Sequence, residues 1–233
     1  MPSIRRSQSS PSIQPQAPIP DVDASAIDGT YSTEEQSVIQ SLRTDVNLIL
    51  AALRNAGILQ AGASLVFASF GDQNGLIYYL GSSGRSQTWA NPYTTGAINL
   101  LVSSLEKGTL ANTVDRTATA EWYTTNAPNQ SLAIDLKQRR LIPSYYTIQH
   151  DAEVGYYLRS WKLQGSNDGA SWIDLDTRSN DTSINAPSAW GGFAVSGVTT
   201  PYRYLRVLMT GADANGSNYL VIGEIEFYGQ LTA

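Results

Sequence analysis

YLRSWKLQGSNDGASWIDL, residues Tyr157–Leu175, is the stretch that decides the fold. Two β-prone runs, Leu158–Gln164 and Trp172–Leu175, flank the tetrapeptide Ser166-Asn167-Asp168-Gly169. Asp-Gly suits a tight hairpin turn because such turns need positive φ, which glycine adopts without a steric penalty. Working outward, Ser64–Phe70, Gly75–Leu80, Ala97–Val102, Ser131–Leu136 and Tyr145–Gln149 read as further short β segments on the N-terminal side. On the C-terminal side two runs alternate. Leu205, Val207 and Met209 share one face of Tyr202–Met209, while Ile225 and Phe227 oppose Glu224 and Glu226 in Leu220–Tyr228. That alternation places the two glutamates on a solvent face. About eight strands without an intervening helical period predict a mainly β protein, an antiparallel β-sandwich or jelly roll.

The N-terminal quarter reads differently. Residues 1–30 hold Pro2, Pro11, Pro15, Pro18 and Pro20 and few large apolar groups, so the segment lacks the surface to offset its ordering entropy. It is expected to be an extended arm, either a floppy terminus or a segment that docks on a partner. Residues 31–58 contain the one strong helix, over 32–56. Ser32 and Glu35 form a capping box at its start, and Gly57 is a plausible stop. Ile39, Leu42, Val46, Ile49, Leu53 and Ala56 recur at alternating spacings of three and four, an a/d seam whose branched residues favour a trimer. The seam is short, and Leu48 and Leu50 widen the apolar face, so packing within the chain is the alternative. The expected organisation is an arm over 1–30, an oligomerising helix over 31–58, connecting β segments over 59–95 and a sandwich over 96–233.

Composition narrows the function. Net charge is -5 with a pI near 4.8, and the lysines are Lys107, Lys137 and Lys162. Duplex nucleic acid is an unsuitable partner, because its recognition rests on a dense basic footprint. The chain has no cysteine, which removes disulfides and thiolate-held zinc. No apolar run is long enough to span a membrane, and Ser, Gln and Pro follow Arg5 and Arg6 where a secretory signal needs an apolar core. Catalysis is not expected. His150 is the one histidine, no Gly-x-Ser-x-Gly elbow occurs, and Gly81-Ser82-Ser83-Gly84-Arg85 lacks the spacing and lysine of a phosphate loop.

The central hairpin, with its strand, Ser-x-Asp-Gly turn, Trp and return strand, resembles the discoidin family (factor V/VIII C-type, galactose-binding-like domains). LANTVDRTATAEWYTTNAPNQSLAIDL (Leu110–Leu136), PYRYLRVLMT (Pro201–Thr210) and VIGEIEFYGQL (Val221–Leu231) extend the resemblance over residues 75–231. Within that family, GLIYYLGSSGRSQTWANP (Gly75–Pro92), LIPSYYTIQH (Leu141–His150) and NDTS (Asn180–Ser183) are similar to domains attached to some eukaryotic BTB-domain and HECT-ligase proteins. Ala26–Leu59 is similar instead to the short oligomerising helices that open many phage tail and capsid appendages.

The resemblance implies a ligand site on loops at one end of the sandwich. Tyr123 stands where sugar-binding members carry a histidine after the Trp, His150 supplies the basic position, and Tyr219 the aromatic near the last loop. Asn215 and Asn218 lie beside Tyr219, and Asp151 and Tyr156 complete the set. Trp122, Trp161 and Trp172 are expected in the core, with His150 either a ligand or a half-exposed residue ending a strand. A structural calcium of the family would fall on Asp115, Thr119 and Glu224. Arg116 replaces the expected glycine, Ala120 the expected threonine, and an inward Arg116 could pair with Glu224 in place of the ion. No other cofactor is implied. The function expected is a non-enzymatic virion structural or appendage protein, assembled in the host cytoplasm without a signal peptide. It would form a homotrimer, contact other virion proteins through 1–30, and adhere to a surface glycan. A cellular lectin or adhesin module and a purely architectural spacer are the alternatives.

Overall fold

A computed structural model of the chain describes residues 31–55, 62–117 and 122–232, in two compact units, one within Met1–Ala61 and one over Gly62–Ala233. In the first unit α1 spans Thr33–Asn55. Its start is the capping box read from the sequence: the Glu35 amide donates to Ser32 Oγ at 3.2 Å, and the Ser32 amide donates to Glu35 Oε2 at 2.8 Å. Those bonds satisfy two of the donors that every helix start leaves unpaired. Ile39, Leu42, Val46 and Ile49 are 36–58 % exposed in the single chain. The Leu53 side chain and Ala56 lie outside the described residues. No described helix is long and apolar enough to cross a membrane.

The second unit is the mainly β sandwich expected. Among the described residues nine strands run β1 (Ala63–Leu65), β2 (Asn99–Val102), β3 (Ser131–Asp135), β4 (Arg140–Gln149), β5 (Trp161–Ser166), β6 (Ile173–Arg178), β7 (Trp190–Ala194), β8 (Tyr204–Met209) and β9 (Glu224–Thr232). Every pairing is antiparallel. One sheet has the order β1-β9-β4-β7 and the other β2-β3-β8-β5-β6. Between them lies a continuous core that includes Trp122, Tyr146, Trp161, Leu205, Val207, Ile225 and Phe227. The central hairpin forms as read. Gly169 has φ +73, Ser166 Oγ accepts its amide at 2.9 Å, and Asp168 Oδ1 accepts the amides of Ala170 and Ser171.

Three sequence readings need correction. Gly75–Leu80 is not a strand. Residues Leu76–Gly81 form a short helix, α2, because the buried Glu226 carboxylate accepts the amides of Ile77 at 2.7 Å and Tyr78 at 3.1 Å. That tertiary acceptor satisfies first-turn donors that β-prone residues would otherwise have left unpaired. Glu224 and Glu226 do not face solvent; each is 5 % exposed. The face of β9 opposite Ile225 and Phe227 is covered by residues 71–78 and 115–117, and Gly75 permits the approach, since a Cβ there would lie 2.1 Å from the Glu226 side chain. Trp172 is only half-buried, with the Arg206 guanidinium 3.9 Å from its ring centre on the outer face of the five-stranded sheet. β7 was not anticipated. Its Gly191 and Gly192 carry little β signal, yet a Cβ on Gly192 would meet Tyr145 Oη at 2.4 Å.

Candidate functional site

β4 delivers His150 at its C-terminal end, where Gln149 pairs with Glu224 at the start of β9. The chain then folds through Asp151–Tyr157, with Gly155 at φ +96 and Tyr156 at φ +54. Left-handed geometry at Tyr156 is uncommon for a bulky residue and is held here by its surroundings. The Asn215 side chain packs against Gly155, where an added Cβ would come within 2.7 Å of its Nδ2. Tyr123 enters from the other side, bridged to both Lys107 and Val221. Tyr219 reaches the same place from the loop before β9.

The result is a cleft of about 170 Å³ lined by Tyr123, His150, Asp151, Glu153, Val154, Gly155, Tyr156, Tyr219 and Val221. Tyr219 stands edge-on to Tyr123 at 5.6 Å and to Tyr156 at 5.2 Å, so it joins the three phenol rings into one wall. His150 is 1 % exposed, so it is not the half-exposed strand end considered from sequence. Neither ring nitrogen has a hydrogen bond of ordinary geometry in the described protein; Nε2 lies 3.3 Å from Asp151 Oδ1. Burial pulls the imidazole below its usual pKa, against the opposing pull of Asp151 and of the backbone at Gly155 and Glu153. At neutral pH the ring is therefore uncharged and keeps one donor and one acceptor to offer.

The structure thus gathers Tyr123, His150, Asp151, Tyr156 and Tyr219 around one cavity. Asn215 and Asn218 sit in the adjacent loop without lining it: the Asn215 amide donates to Asp213 Oδ1 and the Asn218 amide to Asn126 Oδ1. Glu153, Val154 and Val221 were missed from sequence; membership of the His150–Tyr156 loop was the one signal for the first two. The charge around the cleft is mostly negative. The Tyr219 hydroxyl is raised above its usual pKa, first by Glu106, with burial, Tyr156, Tyr123 and Asp213 adding to it.

A second group of residues lies where the calcium expectation falls. Thr117 donates its amide to Asp115 Oδ1 at 2.8 Å and to Glu224 Oε1 at 2.7 Å. Burial first, and a hydrogen bond to Asp115 second, push the Glu224 carboxyl up to about 9. Arg116 does not turn to Glu224. It donates to the carbonyls of Gly71 and Asp72 at 2.8 and 2.9 Å, lies 4.9 Å over the Tyr78 ring, and has its ion contact, at 3.8 Å, with Glu226. Calcium asks for six or more oxygens. Among the described residues this corner holds the Asp115 and Glu224 carboxyls, and Thr119 lies outside the described residues.

Comparison with known proteins adds the following. The F5/8 type C domain model matches residues 100–225. An E3 ubiquitin-protein ligase of Drosophila melanogaster is 31 % identical over 169 residues, covering 69 % of this chain and 6 % of its own length. A BTB/POZ domain-containing protein of Arabidopsis thaliana is 28 % identical over 180 residues, covering 68 % of this chain and 21 % of its own. The chain therefore spans only a small part of these relatives. Among solved structures, a family 32 CBM of Clostridium perfringens NanJ, in complex with galactose, aligns with TM-score 0.45 at 14 % identity, over 57 % of this chain and 94 % of that one.

Proposed function

Because the chain belongs to the F5/8 type C domain family, we propose that it is a non-catalytic binding module whose ligand is a saccharide held in the Tyr123–His150–Tyr219 cleft. One observation carries this reading. A buried His150, its ring nitrogens without a hydrogen bond of ordinary geometry and Nε2 3.3 Å from Asp151, lines a cavity walled by three tyrosines. A sugar ring presents both an apolar face and a rim of hydroxyls, so it suits an aromatic wall beside a fixed donor and acceptor. Each hydroxyl bonded by His150 would also end the cost of a buried polar atom without a partner. A glycan array tests the proposal. Binding that is lost in both Tyr219→Ala and His150→Ala, with the fold retained, supports it; an array without a single bound saccharide refutes it and favours the architectural spacer.

The finer reading is a homotrimer joined through α1 and displayed on a virus particle assembled in the host cytoplasm. The exposed seam of Ile39, Leu42, Val46 and Ile49 supports the trimer, and three cleft copies on one axis would gain avidity on a repetitive glycan surface. The virion placement, with residues 1–30 contacting other particle proteins, is supported by the resemblance of Ala26–Leu59 to appendage helices. The E3 ubiquitin-protein ligase and the BTB/POZ domain-containing protein to which the chain is similar do not bear on it. Tail, portal or capsid genes beside this gene would support that placement, and their absence would favour a cellular adhesin.

A further inference from the structure

We infer that the cleft selects saccharides carrying a free amino group, and rejects acidic sugars such as uronates and sialates. This rests on the saccharide reading above and adds a charge class to it.

The inference starts from the charges that face the cleft. Asp151 and Glu153 line it, and Glu106 and Asp213 stand close enough to Tyr219 to raise its hydroxyl. Glu153 is exposed on the rim, and its carboxylate makes no ion pair with any described residue. Asp213 is buried, with Oδ2 unpaired while Oδ1 accepts the amides of Asn215 and Ser217.

Two cations stand near. Lys107 lies 5.9 Å from the centre of the Tyr123 ring, and Arg159 lies 5.9 Å from that of Tyr157. The Arg159 guanidinium is spent elsewhere, donating to the carbonyls of Asp181 and Ile184 and to the Asn185 side chain. His150 adds no positive charge at neutral pH. Asp151 and Glu153 thus line the cleft, Glu106 and Asp213 add negative charge near Tyr219, and Lys107 is the cation beside the tyrosine wall.

A carboxylate-bearing sugar would enter against that field without an arginine fork to receive it, whereas an ammonium would be drawn in. The aromatic wall strengthens the choice. Lys107 already lies over the Tyr123 ring, but the faces of Tyr156 and Tyr219 are electron-rich, and a cation set against such faces is attracted where an anion is repelled. The rim position of Glu153 places the field where a substituent on the sugar would project, rather than at the base, where His150 would meet a hydroxyl.

The test is a calorimetric titration of the full chain with three tetrasaccharides: β-1,4-linked glucosamine, its fully N-acetylated counterpart, and a β-1,4-linked mannuronate. The first two differ by the charge and the acetyl group. Exposed ion contacts shift affinity by about twofold to fivefold each, so the free amine should bind roughly tenfold tighter than the acetylated sugar, with the mannuronate weakest. Glu153→Gln should cut that preference about threefold, and 0.5 M salt should compress it, as screening requires. Equal or tighter binding of the acetylated sugar or the mannuronate overturns the amino-sugar inference and leaves the saccharide reading standing. A preference unchanged by both Glu153→Gln and salt also overturns it, because the discrimination would then be steric. If none of the three binds, and the glycan array is also blank, the saccharide reading fails and takes this inference with it.

Discussion

Tyr146→Phe removes one oxygen atom from the centre of the sandwich, and the structure states what that oxygen does. Tyr146 on β4 and Trp161 on β5 belong to different sheets, and both are fully buried. Trp161 Nε1 donates to Tyr146 Oη at 2.8 Å, and the hydroxyl donates onward to Asp176 Oδ2 at 2.8 Å on β6. Arg178 Nε closes the chain at 2.7 Å on the same oxygen. Burial and the adjacent Asp176 raise the hydroxyl far above the usual tyrosine range, so it is a donor at every working pH. Phenylalanine would keep the ring contact with Phe193, at 5.0 Å, and lose both bonds. Asp176 keeps Arg178 and has some access to water, but the indole N–H is left buried without an acceptor. An orphaned buried donor costs about 1–3 kcal/mol, so the expected loss is about 2 kcal/mol. For a domain of this size that is a fall in Tm of about 4–8 °C. Differential scanning calorimetry of wild type and variant reads it directly. A Tm lowered by less than about 1 °C would refute the reasoning, since the buried indole would then have found a partner the structure does not contain.

Four further outcomes are expected. Glu226→Ala strips the acceptor from the amides of Ile77, Tyr78 and Phe227 and should cost at least about 3 kcal/mol in urea unfolding; Gly75→Ala, which drives a Cβ into the Glu226 side chain, should also destabilise markedly. His150 has a folded pKa held below 6.5, so the unfolded chain takes the proton first. The stability it contributes is present above pH 6.5 and is lost as pH falls through 6.5 toward the folded value; His150→Gln should flatten that part of a urea-midpoint profile. Leu42→Asp with Val46→Asp should convert a trimer to a monomer by light scattering; a wild-type chain that is already monomeric refutes the seam.

Local features were legible in the sequence because their causes are local. The Ser32–Glu35 box and the Ser166–Gly169 turn are completed by groups within a few residues, and both formed as read. The misreadings share the opposite cause. Glu224 and Glu226 alternate with apolar residues as on a half-buried strand, but residues 71–78 fold back over that face, and nothing near residue 224 announces it. α2 is helical because of a carboxylate 149 positions away in sequence. β7 was missed because its glycines serve the neighbouring Tyr145 and Phe193 rather than strand propensity. In the cleft, Tyr123, His150 and Tyr219 were found through the family resemblance. Glu153, which sets the electrostatics of the rim, had no motif to mark it, since its role depends only on where the loop after β4 returns.

The most direct test of the central claim is a ¹⁵N-resolved NMR titration of residues 62–233, within the full chain, using the tightest saccharide from the array. The account predicts that the amides of Tyr123, His150–Tyr156 and Tyr219–Val221 shift together and saturate with one affinity. Shifts confined to the outer sheet around Trp172 and Arg206, with the His150 loop unmoved, would contradict it.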